Sequence, residues 1–193
     1  SAIFEMGEKG LFHVENPSEI FLSERALSTS GSVVIPIMEG SRPILIEVQG
    51  LVSPATYGNP QRNATGLDMR RLSMLLAILD KRLGYKMGTQ DVFVNIVGGL
   101  KIDEPSLDLA VVCAIASSNK DIPVDANIVI CGEVGLSGEV RSISHLDRRV
   151  LDAEKLGFKK IICPVQNLKK YKHKTSIELI GVATVYEALK YIL

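Results

Sequence analysis

Ser106 has the sequence context of a nucleophile. It lies in the segment Asp103-Glu104-Pro105-Ser106-Leu107-Asp108, which follows Gly98-Gly99 and opens an almost wholly apolar stretch. A serine in the first turn of a helix is close to unpaired backbone N–H groups and to the positive end of the helix dipole, and both stabilise an oxyanion. The position therefore suits acyl-transfer chemistry of the serine-protease type, provided that a general base reaches the hydroxyl.

The base is the part of this chemistry that the sequence lacks. The later segment in which a lysine base is expected is His145-Leu146-Asp147-Arg148-Arg149, and it contains no lysine. Asp147 would accept a proton from serine only if its pKa were strongly raised. The simpler interpretation, which we favour, is that Ser106 is a residue that begins a helix. The pattern favours binding and assembly over catalysis.

Two groups of basic residues are candidates for contact with phosphate. The first flanks a long polar loop, residues 53–66, and the helix after it, and we predict that it contacts phosphate groups such as those of DNA, because arginine suits phosphate contacts. The second is a dense run that is typical of a solvated surface. A third set, Arg141, Arg148 and Arg149, predicts ion pairs on a helix surface or contacts between subunits. The first group is Arg62, Arg70, Arg71, Lys81 and Arg82, and the second is Lys169, Lys170, Lys172, His173 and Lys174.

Composition narrows the class of protein. The chain has 193 residues, 46% of them hydrophobic and none of them tryptophan, with 22 basic and 22 acidic residues. Any basic surface is therefore local. Neither GxxxxGK[ST] nor a GxGxxG that opens a helix occurs, so we expect no nucleotide site. Cys113, Cys131 and Cys163 lie in apolar runs, predicting buried reduced thiols, no metal site and a cytoplasmic location. No apolar run is long enough to span a membrane.

The elements that must position Ser106 form an α/β pattern. Apolar runs at 32–38 and 44–52 predict a β-hairpin, and Leu67 to Leu83 predicts an amphipathic helix. Strands are predicted at 91–97, 127–134, 160–163 and 176–180, and helices at 106–118, 146–156 and 184–193. We expect one α/β domain with a mixed sheet over residues 32–193. Residues 1–31 form a lead-in segment packed on it, with a short helix near residues 20–22. The first residue is serine, which suggests a piece of a longer protein.

Two family resemblances follow from these residues. Residues 92–165 resemble the proteolytic domain of Lon in Gly98-Gly99, Asp103-x-Pro105-Ser106 and Gly132-Glu133-Val134-x-Leu136-x-Gly138. Ser106 falls on the Lon nucleophile, and Asp147 falls where Lon has its catalytic lysine. Lon has Ala-Gly after the serine, where this chain has Leu107-Asp108. The resemblance implies a Lon-like fold of the type of ribosomal protein S5 domain 2, without Lon activity.

The second resemblance covers nearly the whole chain. The pattern Met6-x-x-x-Gly10-Leu11-x-x-Val14-x-Asn16-Pro17-Ser18 and the later stretch Tyr57-Gly58-Asn59-Pro60-x-Arg62 resemble the C-terminal, Lon-like domain of the RadA (Sms) family of bacterial DNA-repair proteins. So does Gly66-Leu67-Asp68-x-x-Arg71-Leu72. In that family the preceding part holds a zinc finger and a RecA-like ATPase, so ATP, magnesium and zinc are expected there and no cofactor in this domain.

The RadA resemblance implies a non-catalytic scaffold and DNA-binding domain. Members of the family assemble as hexameric rings and drive branch migration, so single-stranded or branched DNA, further copies of the chain and a RecA-type recombinase are the expected partners. Two alternatives remain. One is a serine peptidase whose general base lies elsewhere in the fold, and the other is a pure oligomerisation scaffold.

Overall fold

A seven-stranded mixed sheet organises the protein. The computed structural model describes residues 4–7, 10–13, 22 and 24–193. Strands follow the order β11-β10-β7-β3-β4-β6-β5 across the sheet, and β1–β2 and β8–β9 form two small antiparallel pairs. The strands are β1 (Phe4–Gly7), β2 (Gly10–His13), β3 (Ser32–Glu39), β4 (Arg42–Pro54), β5 (Arg62–Thr65), β6 (Gln90–Ile96), β7 (Ile128–Ile130), β8 (Glu133–Val134), β9 (Val140–Arg141), β10 (Lys160–Pro164) and β11 (Glu178–Val182).

Five helices accompany this sheet in the described part of the chain. Short 3₁₀ turns at Met87–Thr89 and Pro105–Leu107 precede β6 and α2. Asp68 begins α1 by accepting from the Arg70 N–H, and Gly84 ends it with a positive φ. These are common capping devices. The helices are α1 (Met69–Leu83), α2 (Asp108–Lys120), α3 (Leu146–Lys155), α4 (Val165–Leu168) and α5 (Val185–Ile192).

The sheet changes from parallel to antiparallel at the predicted hairpin. Strands β7, β10 and β11 run parallel to one another and to β3, whereas β3 pairs antiparallel with β4 and β4 with β6. Strand β4 is long enough to pair with β3 through its first half and with β6 through its second. The predicted α/β class with a mixed sheet is confirmed.

Helix α2 lies at the centre of the core. Its residues from Asp108 to Ser117 are all buried, as the all-round apolar sequence predicts. It packs along β4, where Gly50 lets the backbone of Ala114 come close: a Cβ on Gly50 would lie 3.0 Å from the Ala114 carbonyl carbon. This packing fixes the start of α2, and therefore Ser106, relative to the sheet.

Three sequence predictions need correction. Residues 53–66 are not a single loop, because β4 continues to Pro54 and Arg62–Thr65 pair with β6 as a strand. Residues 127–134 are not one strand, because the chain leaves the sheet between β7 and β8. The lead-in segment contains a hairpin, β1–β2, that weak periodicity does not reveal. The helix predicted near residues 20–22 lies almost wholly outside the described residues.

The three cysteines are buried free thiols, as the apolar runs around them predict. Cys113, Cys131 and Cys163 are free and buried, and burial raises the pKa of each thiol; that of Cys163 rises to about 12. In the part of the chain that the structure describes, no helix has the length and apolar character needed to cross a bilayer.

Replacing Gly31 by alanine is expected to destabilise the fold strongly. Its φ of +87° is unfavourable for alanine, and an added Cβ would overlap the Gly50 carbonyl oxygen. Gly31 also joins β4 to α2, since its carbonyl oxygen accepts from the Gly50 N–H at 2.8 Å and its N–H donates to Ser117 Oγ at 2.9 Å. Gly40 is the control, because its φ is +62° but nothing lies within 4 Å of its Cβ position. Urea denaturation should give a loss of roughly 1–2 kcal/mol for Gly40→Ala and more than about 3 kcal/mol for Gly31→Ala. Equal losses would contradict the close approach.

Candidate functional site

Ser106 lies where the chain passes from a 3₁₀ turn into α2. Pro105 suits the first helical position because its missing N–H would have no partner there. Ser106 is only 2% exposed. Its carbonyl oxygen accepts from the Gly132 N–H at 3.0 Å. The turn is therefore tied to the segment between β7 and β8, and the hydroxyl points into a closed region.

The side chain that reaches Ser106 is Arg149 from α3. Its Nη1 donates to Ser106 Oγ at 3.1 Å and to the Pro36 carbonyl oxygen at 2.7 Å. Its Nε donates to the Ser144 carbonyl oxygen at 2.9 Å. The guanidinium is 1% exposed. One buried side chain thus joins β3, the approach to α3 and the start of α2.

Glu104 balances this buried charge. Its Oε1 pairs with Arg149 Nη1 and accepts a hydrogen bond from Ser106 Oγ. Its Oε2 accepts from the Met38 N–H at 3.0 Å. The Ser106 hydroxyl therefore donates to a carboxylate and accepts from a guanidinium. Such complete pairing is what allows charged groups to be buried.

This arrangement lacks the parts that a serine nucleophile requires. An arginine is always protonated in proteins, so Arg149 cannot remove the proton of Ser106. The first-turn N–H groups that suggested an oxyanion site have partners. Those of Leu107, Asp108 and Leu109 donate to the carbonyl oxygens of Glu104, Pro105 and Gly132. That part of the sequence prediction is corrected.

Asp147 is not the residue beside Ser106. Its carboxylate lies 3.8 Å from the imidazole of His173 and is 45% exposed. Residues two apart on a helix differ by about 200° in direction, so Asp147 and Arg149 face opposite ways. The assignment of Arg149 to the helix surface is likewise wrong. Arg149 shares the buried face of α3 with Leu146, Val150 and Ala153, and this i, i+3, i+4 spacing is a sequence signal that reveals it.

A second ion pair lies at the first residue of α2, two residues after Ser106. Arg71 of α1 donates to both oxygens of Asp108, from Nε to Oδ1 at 2.7 Å and from Nη2 to Oδ2. The Val134 N–H also donates to Asp108 Oδ2, at 3.1 Å. Burial raises the pKa of Asp108, and the pairing with Arg71 opposes part of that rise. The hydrogen bond to Asp108 raises the pKa of Arg71. This pair joins α1, α2 and β8.

The cavity beside Ser106 is unsuited to phosphate. It has a volume of about 180 Å³ and lies between the two ion pairs. Its lining carries four carboxylates and one guanidinium. The guanidinium is that of Arg71, whose charge is already balanced by Asp108. Ser106 does not contribute to the lining. The lining residues are Leu67, Asp68, Arg71, Ile102, Asp103, Glu104, Pro105 and Asp108.

The five predicted DNA-contact residues divide into two kinds. Arg62 donates to the carbonyl oxygens of Gln90 at 2.6 Å and Met87 at 2.8 Å, and Arg71 is paired with Asp108. These two guanidinium groups hold the fold together. Arg70, Lys81 and Arg82 are exposed; Arg70 lies 3.8 Å from Asp68, and the Nε of Arg82 donates to the Leu136 carbonyl oxygen at 3.3 Å.

The second basic run lies on the surface of the protein. Lys169, Lys170, Lys172, His173 and Lys174 are all exposed. Among the described residues, no group of three or more histidine, cysteine, aspartate and glutamate side chains is placed to hold a metal ion.

Replacing Arg149 by methionine is expected to be severely destabilising. It removes the cation that balances Glu104 and leaves the Pro36 and Ser144 carbonyl oxygens without their donor. Breaking one side of a buried ion pair typically costs about 3–5 kcal/mol. The neighbouring Arg148→Met is the control, because Arg148 is exposed and its Nη1 donates to the Ser41 carbonyl oxygen at 3.0 Å. Urea denaturation should show that the control loses less than about 1 kcal/mol of unfolding free energy. Similar losses for the two variants would contradict the role of Arg149.

Comparison with known proteins identifies the type of domain. A family model described as subunit ChlI of Mg-chelatase matches residues 49–167. The chain is 52% identical over 188 residues to the protein named DNA repair protein RadA of Bacillus subtilis (strain 168), covering 97% of this chain and 41% of the relative. It is 46% identical to that of Listeria monocytogenes, with the same coverage, and 47% identical to that of Streptococcus pneumoniae, covering 97% of this chain and 45% of the relative.

The chain therefore spans about two fifths of the length of the curated relatives it matches. These relatives are themselves named as DNA repair proteins. The mixed α/β sheet agrees with the Lon-like fold implied by the sequence resemblance. The chain belongs to the family described as subunit ChlI of Mg-chelatase, and it is similar to the C-terminal part of bacterial DNA repair proteins named RadA.

Proposed function

We propose that this domain is a non-catalytic, Lon-like scaffold that contacts DNA within a longer DNA-repair protein. The observation that carries the proposal is the buried guanidinium of Arg149 beside Ser106. A Ser–Lys protease needs a base that loses its proton, and arginine keeps its charge. The site of a nucleophile and its base is occupied here by a junction that joins β3, α2 and α3.

The remaining part of the protein supplies the catalytic chemistry in this proposal. The relatives are more than twice as long as the chain, and the RadA resemblance assigns to that part a zinc finger and an ATPase with ATP, magnesium and zinc. The full-length protein then acts in the cytoplasm on branched recombination intermediates together with a RecA-type recombinase. Assembly into a hexameric ring places several copies of this domain around one DNA molecule.

The exposed side of α1 is the DNA contact surface in this proposal. Arg70 and Lys81 are eleven positions apart, which is close to three full turns, so they lie on one side of the helix about 16 Å apart. Ala77 lies between them on the same side and is exposed. Arg82 extends the basic surface at the end of the helix. Such residues bind the backbone of DNA without reading its sequence.

One specific contact favours the peptidase as a second candidate. The Glu104 carboxylate accepts a hydrogen bond from the Ser106 hydroxyl, which is the geometry of a general base. Against this, the same oxygen is paired with Arg149 and Ser106 is 2% exposed. A substrate carbonyl would have to displace the packing around the hydroxyl before attack. A pure oligomerisation scaffold is the remaining alternative and differs only in having no DNA contact.

We expect no peptidase activity through Ser106. General-base catalysis typically contributes about 10²- to 10⁴-fold in rate, and the paired carboxylate does not replace it. Unfolded casein and a fluorophosphonate probe should give the same background signal with the wild type and with Ser106→Ala. Covalent labelling that disappears in Ser106→Ala would establish the peptidase and refute the scaffold.

DNA binding should depend on the exposed residues of α1. Arg70→Ala and Lys81→Ala should each lower the slope of log K against log salt by about 0.7 on single strands, with little effect on stability. The control is the double variant Lys169→Ala, Lys170→Ala, which removes two exposed charges outside α1. Fluorescence anisotropy with labelled single-stranded DNA at several salt concentrations measures the slopes. Loss of affinity in the control alone would assign the contact to the lysine run.

A further inference from the structure

An aromatic and basic groove lies at the end of α1. It has a volume of about 400 Å³, which is within the usual range of small-ligand pockets. The end of α1, the last turn of α2 and helix α5 form its walls. The lining residues are Leu83, Tyr85, Lys120, Tyr186, Leu189, Lys190 and Leu193.

The aromatic side chains of the groove differ in exposure. Tyr85 is half-buried, and Lys120 Nζ lies 5.4 Å from the centre of its ring. This contact holds the ammonium group over the groove. Tyr186 is 61% exposed. Ligand sites are concave and lined by apolar and aromatic side chains with a few polar groups, and the exposed ring of Tyr186 at the edge of this groove is accessible for stacking.

The charges of the groove favour an anionic partner. Lys190 follows Tyr186 by four residues, so its ammonium group and the ring lie on the same side of α5. Among the described ion pairs, none includes Lys120 or Lys190. Both lysines are therefore available to a ligand. Lys81 and Arg82, which precede the groove at the end of α1, extend the positive charge.

We propose that this groove binds single-stranded nucleic acid, with one base stacked on Tyr186 and the flanking phosphates bound by Lys120 and Lys190. A positively charged groove with an aromatic platform is how proteins hold single strands without reading their sequence. The inference rests on the proposed DNA-binding function and locates the bases, whereas the exposed side of α1 accounts only for phosphates. A continuous path then runs from Arg70 along α1 to α5.

The test uses the whole 193-residue chain and fluorescein-labelled (dT)₁₅, followed by anisotropy. Tyr186→Ala should weaken binding about tenfold or more, because a stacked base contributes on that scale. Tyr186→Phe keeps the ring and should bind within about twofold of the wild type. Lys190→Gln should lower the salt slope by about 0.7. The control is Tyr191→Ala, since Tyr191 is 42% exposed on the same helix but lies against Lys160, 5.7 Å from its ring centre.

The outcomes distinguish base stacking in the groove from phosphate contact on α1. If Tyr186→Ala binds like the wild type while Arg70→Ala and Lys81→Ala lose affinity, the groove is wrong and the proposed DNA contact stands. If the wild type binds no single strand, both are wrong. If a poly-glutamate peptide binds more tightly than (dT)₁₅ and Tyr186→Ala abolishes its binding, the groove binds an acidic protein segment and the nucleic-acid proposal is wrong. Unchanged thermal unfolding of each variant shows that the effects are local.

Discussion

The guanidinium of Arg149 is buried at the meeting point of four segments, and its charge has to be balanced there. Removing an ion from water costs several kcal/mol unless partners replace the lost solvation. Glu104 supplies the opposite charge, and Pro36, Ser144 and Ser106 supply hydrogen-bond acceptors. Pro36 belongs to β3, Ser144 to the approach to α3, and Glu104 and Ser106 to the turn before α2. The position of α3 against the sheet and the start of α2 are therefore fixed together by one side chain.

The consequence for function lies in the fixed charge. A lysine in the same place can lose a proton when it is desolvated, and this property makes it a general base. An arginine cannot, so the same burial that would activate a lysine makes Arg149 a structural group. Ser106 then becomes an acceptor and donor within a closed network. The second pair, Arg71 with Asp108, extends the same pattern to α1 and β8, and both pairs leave an acidic cavity from which DNA phosphates are repelled.

Much of the fold could be predicted because local patterns and tertiary packing agree. The hairpin β3–β4, the amphipathic α1 and the fully buried α2 follow from hydrophobic periodicity. The strand at Arg62–Thr65 could not be predicted in this way, since its residues are polar and its pairing with β6 is decided by tertiary structure. The hairpin β1–β2 was not predicted because each of its strands has only four residues, too few to establish a period.

The candidate site was predicted less completely than the fold. Ser106 and the missing lysine are evident in the sequence, but placing Asp147 at the base position put the wrong side of α3 against the serine. The apolar residues Leu146, Val150 and Ala153 define the buried face of α3, and Arg149 is the charged residue on that face. Charge alone does not separate Arg62 and Arg71 from the exposed Arg70, because a sequence does not show which guanidinium groups will find carbonyl or carboxylate partners inside the fold.

Glu104 and Arg149 act as one structural pair, and a double-mutant cycle measures the coupling between them. The free energies of unfolding of the wild type, Glu104→Gln, Arg149→Met and the double variant give the coupling between the two side chains. Glutamine keeps an acceptor for the Met38 N–H, so the cycle isolates the charge. We expect a favourable coupling of about 1–3 kcal/mol. The double variant should then lose less unfolding free energy than the two single variants lose together. Additive losses would show that the two charges do not stabilise each other and would contradict the account.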